Sequence, residues 1–198
     1  MRYDVLIAGV GGQGTILASR ILAAASILRC EFARTGETIG MSQRGGCVVS
    51  NVRLDGKDVS PYIPQAQSDL LLGFELAEAA RNIPRLKCDG SAVVNTQVIK
   101  PVSLSLGIGG YDTDEICKYI TSNCKKTVFV DGYALANKAG SPKAVNIVLL
   151  GAACGADLLP FNREELTAAI KNGVAPKFVD MNLCAFGYGF DAGKNHDR

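Results

Sequence analysis

The sequence predicts an α/β fold: a three-layer α/β/α sandwich around a mostly parallel central sheet, in which mixed pairing stays open. Short apolar runs alternate with amphipathic stretches from one end of the chain to the other, as helices packed on both faces of a sheet require. No break in composition marks a linker, so we expect a single domain over residues 1–190. A glycine-rich turn joins the first strand to the first helix, which predicts a Rossmann-like first βα unit.

The chain up to residue 82 is expected to supply four strands and two helices. The continuous apolar run at 5–8 predicts a strand that is buried on both faces. Alternating apolar and polar residues over 45–54 predict a strand that turns at Asp55 and Gly56. The elements in chain order are a strand at 5–8, a helix at 15–28, strands at 30–34, 45–54 and 69–74, and a helix at 75–82.

Helix-capping residues organise the rest of the chain. Asp112 with Glu115 three residues later is typical of a capping box, and Ser141 before Pro142 is the favoured order at a helix start. The remaining predicted elements are strands at 91–95 and 127–130, helices opening at Asp112, Ser141 and Asn162, the last of these closed by Gly173, and a final helix over 178–188. We expect residues 191–198 to form a disordered tail.

Composition excludes several classes of protein. The net charge is +2 with one histidine, so the chain lacks the basic footprint of a nucleic-acid binder. Its seven cysteines are odd in number and include no C-x-x-C pair, which favours scattered core thiols over disulfides or a metal site. No signal peptide follows Met1, and the longest apolar stretch, 147–156, is too short to span a bilayer. We therefore expect a cytoplasmic protein with no nucleic-acid or membrane partner and no bound metal.

The first glycine segment matches a nucleotide-binding fingerprint. Gly9, Gly11 and Gly14 fill the pattern G-x-G-x-x-G between a strand and a helix. Such a loop allows a diphosphate to approach closely, and the helix start offers free amides and a positive dipole end. The acidic residue that should hold a ribose is poorly placed, because Glu31 comes early in the predicted strand and Glu37 comes after it. Two interpretations stay open: the glycines bind phosphate, or they only let helix and strand pack closely.

A second glycine segment covers residues 37–46 and reads Glu-Thr-Ile-Gly-Met-Ser-Gln-Arg-Gly-Gly. Arg44 lies beside two glycines, so its guanidinium can reach a carboxylate or phosphate without obstruction. A salt bridge within the domain or at a subunit face explains it equally well. Asp131, at a strand end, could reach a ligand at the sheet edge, although a turn aspartate is the simpler interpretation.

The chain resembles the small subunit of 2-oxoacid:ferredoxin oxidoreductases in three segments. These are Gly-Val-Gly-Gly-Gln-Gly at 9–14, the segment 37–46, and Phe-Val-Asp-Met-Asn-Leu-Cys-Ala-Phe-Gly-Tyr-Gly at 178–189. Within that family it is most similar to the beta subunit of indolepyruvate ferredoxin oxidoreductase. The equivalent piece of the pyruvate and ketoisovalerate enzymes is the gamma subunit. The resemblance covers about residues 3 to 190.

The resemblance implies a division of labour. The complete enzyme oxidatively decarboxylates a 2-oxoacid, here indolepyruvate or another arylpyruvate, forms the acyl-CoA and passes electrons to ferredoxin. Thiamine diphosphate, Mg²⁺ and 4Fe-4S clusters belong to the large alpha subunit, and coenzyme A is a co-substrate. This chain is then a partner subunit that binds no cofactor alone and is inactive alone.

The resemblance also implies where the chain contributes. Gly11, Gly12, Gln13 and Gly14 are expected to line a cleft that faces the large subunit. Arg44 is expected to contact an anionic group there, either a coenzyme A phosphate or a carboxylate of the partner. No catalytic residue is assigned to this chain.

Two other functions stay open. A stand-alone, NAD-type dinucleotide-binding oxidoreductase is disfavoured because no Tyr-x-x-x-Lys pair occurs. The residue four positions after Tyr119 is Asn123, and the residue four positions after Tyr133 is Asn137. A purely structural assembly partner that binds no small molecule is the third possibility. An obligate partner subunit should expose a large apolar patch and self-associate when alone.

Overall fold

A six-stranded sheet with helices on both faces forms the described part of the chain. The computed structural model describes residues 2–40, 46–55, 59–99 and 110–196. The strand order across the sheet is β2-β3-β1-β4-β5-β6. The strands are β1 Tyr3–Val10, β2 Ala33–Ile39, β3 Cys47–Leu54, β4 Ser68–Gly73, β5 Leu86–Asn95 and β6 Lys126–Val130. The predicted α/β/α architecture is therefore confirmed.

Mixed pairing is present, because β3 is antiparallel to its two neighbours in the sheet. β1, β4, β5 and β6 pair in parallel, whereas β3 is antiparallel to both β1 and β2. The chain leaves β1 for one side of the sheet to form β2 and β3, then returns to the other side to form β4. The order therefore reverses between β1 and β4, which is the topological switch point where open α/β sheets bind ligands.

The helices cover the two faces of the sheet. They are α1 Thr15–Leu28, α2 Leu76–Asn82, α3 Thr113–Ser122, α4 Gly132–Lys138, α5 Val145–Gly155, α6 Arg163–Gly173 and α7 Val179–Lys194. Asp112 is confirmed as an N-cap, since it accepts from the Glu115 amide at 3.0 Å, although only this half of the predicted capping box is formed. Asn162 forms a complete capping box with Glu165. Ser141 caps a short 3₁₀ turn over 142–144 that leads into α5.

Several element predictions were wrong in detail; β5, for example, begins at Leu86 instead of at residue 91. β2 lies at 33–39 instead of 30–34, because Cys30 has a φ of 60° in the turn that ends α1. The last helix ends at Lys194 instead of Tyr188, so it runs into the segment predicted to be a tail. α4 was not predicted at all, since only seven residues separate Asp131 from Ala139.

Two apolar clusters lie on opposite faces of the sheet. Val5 and Ile7 point toward α1, α5, α6 and α7, whereas Leu6 and Ala8 point toward α2 and α3. All four side chains are completely buried. Successive residues of a strand face opposite sides, so burial on both faces produces the continuous apolar run, as predicted.

Glycines bring α5 and α7 into backbone contact. A Cβ atom at Gly189 would lie 2.0 Å from the carbonyl oxygen of Val148, and one at Gly193 would lie 2.1 Å from that of Ala152. A Cβ atom at Gly155 of α5 would meet the carbonyl oxygen of Phe190 at 2.0 Å. The two helices therefore touch along a stripe of glycines. In the described residues, no helix is long and apolar enough to cross a membrane.

Candidate functional site

The glycine loop, residues 9–14, lies at the topological switch point and leads into α1. Gly12 has a φ of 99° and Gly14 a φ of 80°, a backbone region that favours glycine. Gly14 is the N-cap of α1 and supplies no capping side chain. The first intrahelical bond runs from the Ala18 amide to the Gly14 carbonyl at 3.1 Å. The amides of residues 15–17 therefore have no intrahelical acceptor and point out of the helix start.

The side chain of Gln13 bridges β1 and the end of β4. Its Oε1 accepts a hydrogen bond from the Val10 amide at 2.8 Å, and its Nε2 donates to the Phe74 carbonyl at 3.0 Å. Both polar ends of the carboxamide are thus used inside the protein. A Cβ atom at Gly9 would lie 2.7 Å from Oε1 of Gln13. The first glycine of the fingerprint therefore makes room for this side chain.

A second carboxamide, Asn95 at the end of β5, converges on the same carbonyl. Its Nδ2 donates to the Phe74 carbonyl at 3.0 Å, and its Oδ1 accepts from the Gly132 amide at 3.0 Å. Asn95 is 0% exposed. The Gln13 and Asn95 carboxamides, joined through the Phe74 carbonyl, link the ends of four parallel strands. This hydrogen-bond network connects the glycine loop to the turn that begins α4.

The third glycine of the fingerprint accommodates a buried asparagine. Asn146, 1% exposed at the start of α5, donates from Nδ2 to the Gly14 carbonyl at 3.2 Å. A Cβ atom at Gly14 would lie 2.6 Å from that nitrogen. At Gly12, by contrast, a Cβ atom would have no described atom within 4 Å. Gly12 is therefore the open point of the loop.

Two clefts flank Gly12. The first cleft, about 370 Å³, lies between the glycine loop and the β2–β3 pair, and its apolar wall consists of Ile16, Ile39 and Val48. The second cleft, about 190 Å³, lies on the β5–β6 side and is lined by Gly12, Gln13, Gln97, Ile99, Tyr133, Pro142, Lys143 and Val145. Lys143 brings an exposed cation to the second cleft. Each cleft combines apolar walls with the polar backbone of the loop.

The geometry around the first cleft does not favour a dinucleotide. β3 stands between β1 and β2, so Ile39 and Val48 occupy the wall where a ribose-binding acid would be needed. Glu37 lies deeper in β2, and its carboxylate accepts from the Ser19 hydroxyl at 3.3 Å. The Gly11 amide, which could face a diphosphate, donates to the Gly46 carbonyl at 2.9 Å.

The Gly11–Gly46 hydrogen bond also joins the first glycine segment to the end of the second. Arg44, the predicted anion contact of the second segment, lies outside the described residues. Asp131 caps α4, since its Oδ1 accepts from the Ala134 amide at 2.9 Å. This is the structural role that a turn aspartate was expected to have.

Sequence reasoning missed the polar groups that hold the loop. Asn95 and Asn146 are polar residues that interrupt or end apolar runs, and this is the signal that could have found them. Tyr133 and Lys143 follow β6 in the chain. The topology brings them to the loop because the carboxyl ends of the parallel strands share one edge of the sheet.

The second cleft has one wall anchored by a buried carboxylate. Glu75 is 2% exposed, and its Oε1 accepts from the Tyr111 hydroxyl at 2.8 Å and from the Ile99 amide at 3.3 Å. Burial and the neighbouring Glu75 raise the pKa of Tyr111. Burial likewise raises the pKa of Glu78, whose amide donates to Glu75. The position of Ile99 in the cleft thus depends on Glu75.

The cysteines are scattered, but the prediction that they lie in the core was wrong. Only Cys154 is buried, whereas Cys30, Cys47, Cys88 and Cys184 are exposed and the other two are partly exposed. Burial raises the pKa of Cys154 to about 11. Within the described ranges, no group of three or more His, Cys, Asp or Glu side chains is placed to hold a metal ion.

Comparison with known proteins gives matches over nearly the whole chain. The family model for pyruvate ferredoxin/flavodoxin oxidoreductase matches residues 4–192. Indolepyruvate oxidoreductase subunit IorB of Thermococcus kodakarensis is 37% identical over 195 residues, 97% of this chain and 96% of the relative. The common gamma subunit of the Pyrococcus furiosus pyruvate/ketoisovalerate oxidoreductases is 26% identical, with 92% of each chain covered.

A solved structure gives the same result for the fold. The gamma subunit of keto/oxoacid ferredoxin oxidoreductase from Geobacter sulfurreducens matches with a TM-score of 0.69 and 27% identity. The match covers 96% of this chain and 98% of that one. Sequence identity, overall fold and coverage of both chains therefore agree with one kind of subunit. The chain belongs to the pyruvate ferredoxin/flavodoxin oxidoreductase family, as a subunit of a 2-oxoacid:ferredoxin oxidoreductase.

Proposed function

We propose that this chain is the non-cluster subunit of an oxidoreductase that decarboxylates indolepyruvate or another arylpyruvate. The observation that carries this proposal is the difference in similarity between two kinds of relative. Identity is 37% to an indolepyruvate oxidoreductase subunit and 26% to a subunit shared by pyruvate and ketoisovalerate enzymes. The aryl substrate is therefore the better-supported 2-oxoacid.

In this proposal the large alpha subunit carries thiamine diphosphate, Mg²⁺ and the 4Fe-4S clusters. Thiamine diphosphate supplies the carbanion chemistry of decarboxylation when bound there. Electrons leave the complex to ferredoxin, and coenzyme A accepts the acyl group. The complex works in the cytoplasm, and this chain is inactive without its partner.

The glycine loop is the chain's own contribution to the shared site. Gly11, Gly12, Gln13 and Gly14 line a cleft that the large subunit completes, and Arg44 contacts an anionic group there. The amides at the start of α1 and the positive end of its dipole suit an anionic group, either a coenzyme A phosphate or a carboxylate of the partner. Gln13 lines the second cleft, and Lys143 adds a cation to that side.

Substrate choice is tested on the complex of this chain with its large subunit. We expect reduction of ferredoxin or a viologen dye with indolepyruvate and phenylpyruvate, and a much lower kcat/KM with pyruvate. The large subunit alone is the control and should be inactive. Failure of every 2-oxoacid to support reduction would remove the proposed activity, and equal rates with pyruvate would remove the aryl preference.

The anion contact is tested by calorimetric titration of the complex with coenzyme A. We expect Arg44→Ala to weaken binding about tenfold or more, because a charged hydrogen bond contributes about 1.5–3 kcal/mol. Arg34→Ala is the matched control, since Arg34 is an exposed arginine on β2 outside the clefts. Unchanged affinity in the Arg44 variant would remove that residue from the site.

A further inference from the structure

Gln13 is the polar residue of the glycine loop, and both ends of its carboxamide are hydrogen-bonded within the protein. Its Oε1 is bonded to the Val10 amide and its Nε2 to the Phe74 carbonyl, at 2.8 and 3.0 Å. Gly9 has no Cβ at the position that this carboxamide occupies. A ligand that drew Nε2 away from the Phe74 carbonyl would open the bridge between β1 and β4. The carboxamide therefore has a structural role in the loop.

Asn95 supports the same bridge from below the surface. Its Nδ2 is 3.0 Å from the Phe74 carbonyl oxygen, so one peptide group accepts from both carboxamides. The bond from Asn95 fixes the orientation of that peptide group, which is the acceptor for Gln13. Because Asn95 is completely buried, it cannot touch a ligand in either cleft.

We propose that Gln13 and Asn95 are positioning residues that act through the Phe74 carbonyl to hold the glycine loop in its anion-binding conformation. Asn95 also binds the Gly132 amide at 3.0 Å. The start of α4, with Tyr133 in the second cleft, is therefore held in register with the loop. Neither residue contacts the ligand itself. The inference rests on the proposed anion contact at this loop.

The Val10 amide is a direct reporter of the bridge, because its acceptor is the Gln13 side chain. Its hydrogen-exchange protection can be measured by NMR on the full chain, with no ligand or partner. Gln13→Glu keeps an acceptor for Val10 and removes the donor to Phe74. Asn95→Asp keeps an acceptor for Gly132 and removes the other donor. Each variant therefore removes one donor to the same carbonyl.

We expect each variant to lower the protection of Val10 about tenfold, the effect of one lost buried hydrogen bond. In the complex, each should weaken coenzyme A binding by a similar factor in calorimetric titration. The double variant should lose little more Val10 protection and coenzyme A affinity than the more affected single variant does, because both substitutions act on one carbonyl. Asn182→Asp is the control: Asn182 is also buried and donates to a carbonyl, that of Phe178 at 2.8 Å, but it lies on α7.

Two results would overturn the proposal. Wild-type Val10 protection in Asn95→Asp would mean that Asn95 does not support the bridge. Loss of affinity in Gln13→Glu with unchanged affinity in Asn95→Asp would mean that residue 13 acts on the ligand directly, and not through the Phe74 carbonyl. If the wild-type complex binds no coenzyme A, the proposed anion contact fails, and the protection of Val10 alone then decides whether the two residues hold the loop.

Discussion

Glycine serves two different purposes in the glycine loop and in the α5–α7 helix pair. In the loop, Gly9 and Gly14 make room for the side chains of Gln13 and Asn146. In the helix pair, Gly189 and Gly193 make room for backbone, namely the carbonyl oxygens of α5. A side chain can move aside, whereas a packed helix backbone cannot. The same residue type therefore tolerates substitution very differently in the two regions.

The largest effect is expected in the helix pair. Gly189→Ala places a Cβ 2.0 Å from the Val148 carbonyl oxygen, so the two helices must separate and lose core contacts. We expect a loss of about 3 kcal/mol or more in the free energy of unfolding, measured by urea denaturation.

Gly187→Ala is the matched control for this helix. Gly187 also lies in α7, but no described atom is within 4 Å of the added Cβ. Alanine should stabilise the helix there by about 0.5–1 kcal/mol. Equal destabilisation by Gly189→Ala and Gly187→Ala would show that the contact with the α5 backbone does not cause the loss of stability.

A smaller effect is expected at Gly14. Alanine there is strained by the φ of 80° and must displace the Asn146 side chain, whose Nδ2 lies 2.6 Å from the new Cβ. We expect a loss of about 2 kcal/mol in the free energy of unfolding. Asn146→Ala should reduce the additional loss from Gly14→Ala, because the obstructing side chain is then gone. Full additivity of the two changes would contradict this explanation.

At Gly12 the effect on stability should be smaller and the effect on binding larger. The φ of 99° penalises alanine, but the space is open, so we expect a loss of about 1 kcal/mol. Gly12 lines both clefts, so the added methyl group enters open space that a ligand would use. In free energy, the loss of coenzyme A binding by the complex should exceed the loss of stability. Normal affinity in Gly12→Ala would place the ligand elsewhere.

The smallest effect concerns the ion pair between α1 and α6. Burial acts to raise the pKa of Glu165, but hydrogen bonds from Arg29 and the Asn162 amide outweigh it and hold that pKa below its usual range. Because the folded-state pKa is lowered, the stabilisation is complete above the unfolded-state pKa and disappears as the pH falls through the folded-state pKa. The pair is partly exposed, so we expect it to contribute about 0.5 kcal/mol to the free energy of unfolding.

Urea denaturation of Glu165→Gln at two pH values measures this contribution. The variant keeps a side chain suited to the capping box, and its free energy of unfolding should be lower than that of the wild type at pH 7. The free energies of unfolding of the two proteins should become equal once the pH has fallen below the folded-state pKa of Glu165. A difference of the same size at both pH values would contradict the assignment to the Arg29 ion pair.

Local signals predicted much of the fold because they depend on neighbouring residues. The caps at Asp112 and Asn162 and the buried strand at 5–8 are examples. The insertion of β3 between β1 and β2 depends on pairing between distant segments, which the spacing of residues does not encode. The end of α7 was missed for the same reason: Gly189 and Gly193 resemble helix-ending residues until α5 is placed against them.

The sequence predicted where the glycine loop lies, but not its internal bonding. The G-x-G-x-x-G pattern correctly located a turn between β1 and α1. It could not reveal that the Gln13 side chain turns inward, because its acceptor, Phe74, lies 61 residues away. Nor could it reveal that Asn95 approaches the same carbonyl from β5. Long-range hydrogen bonds to backbone leave no spacing pattern in the sequence.

The central place of β1 in the sheet affects how the chain is made. β1 leaves the ribosome before its two neighbours, which are β3, whose Leu54 pairs with Tyr3, and β4, whose Leu70 pairs with Val5. The apolar segment 5–8 must therefore wait for both partners until Leu70 and the residues after it have been synthesised. Unpaired apolar strands are prone to aggregate during folding. Early docking of α1 on this strand would shield one of its faces during translation.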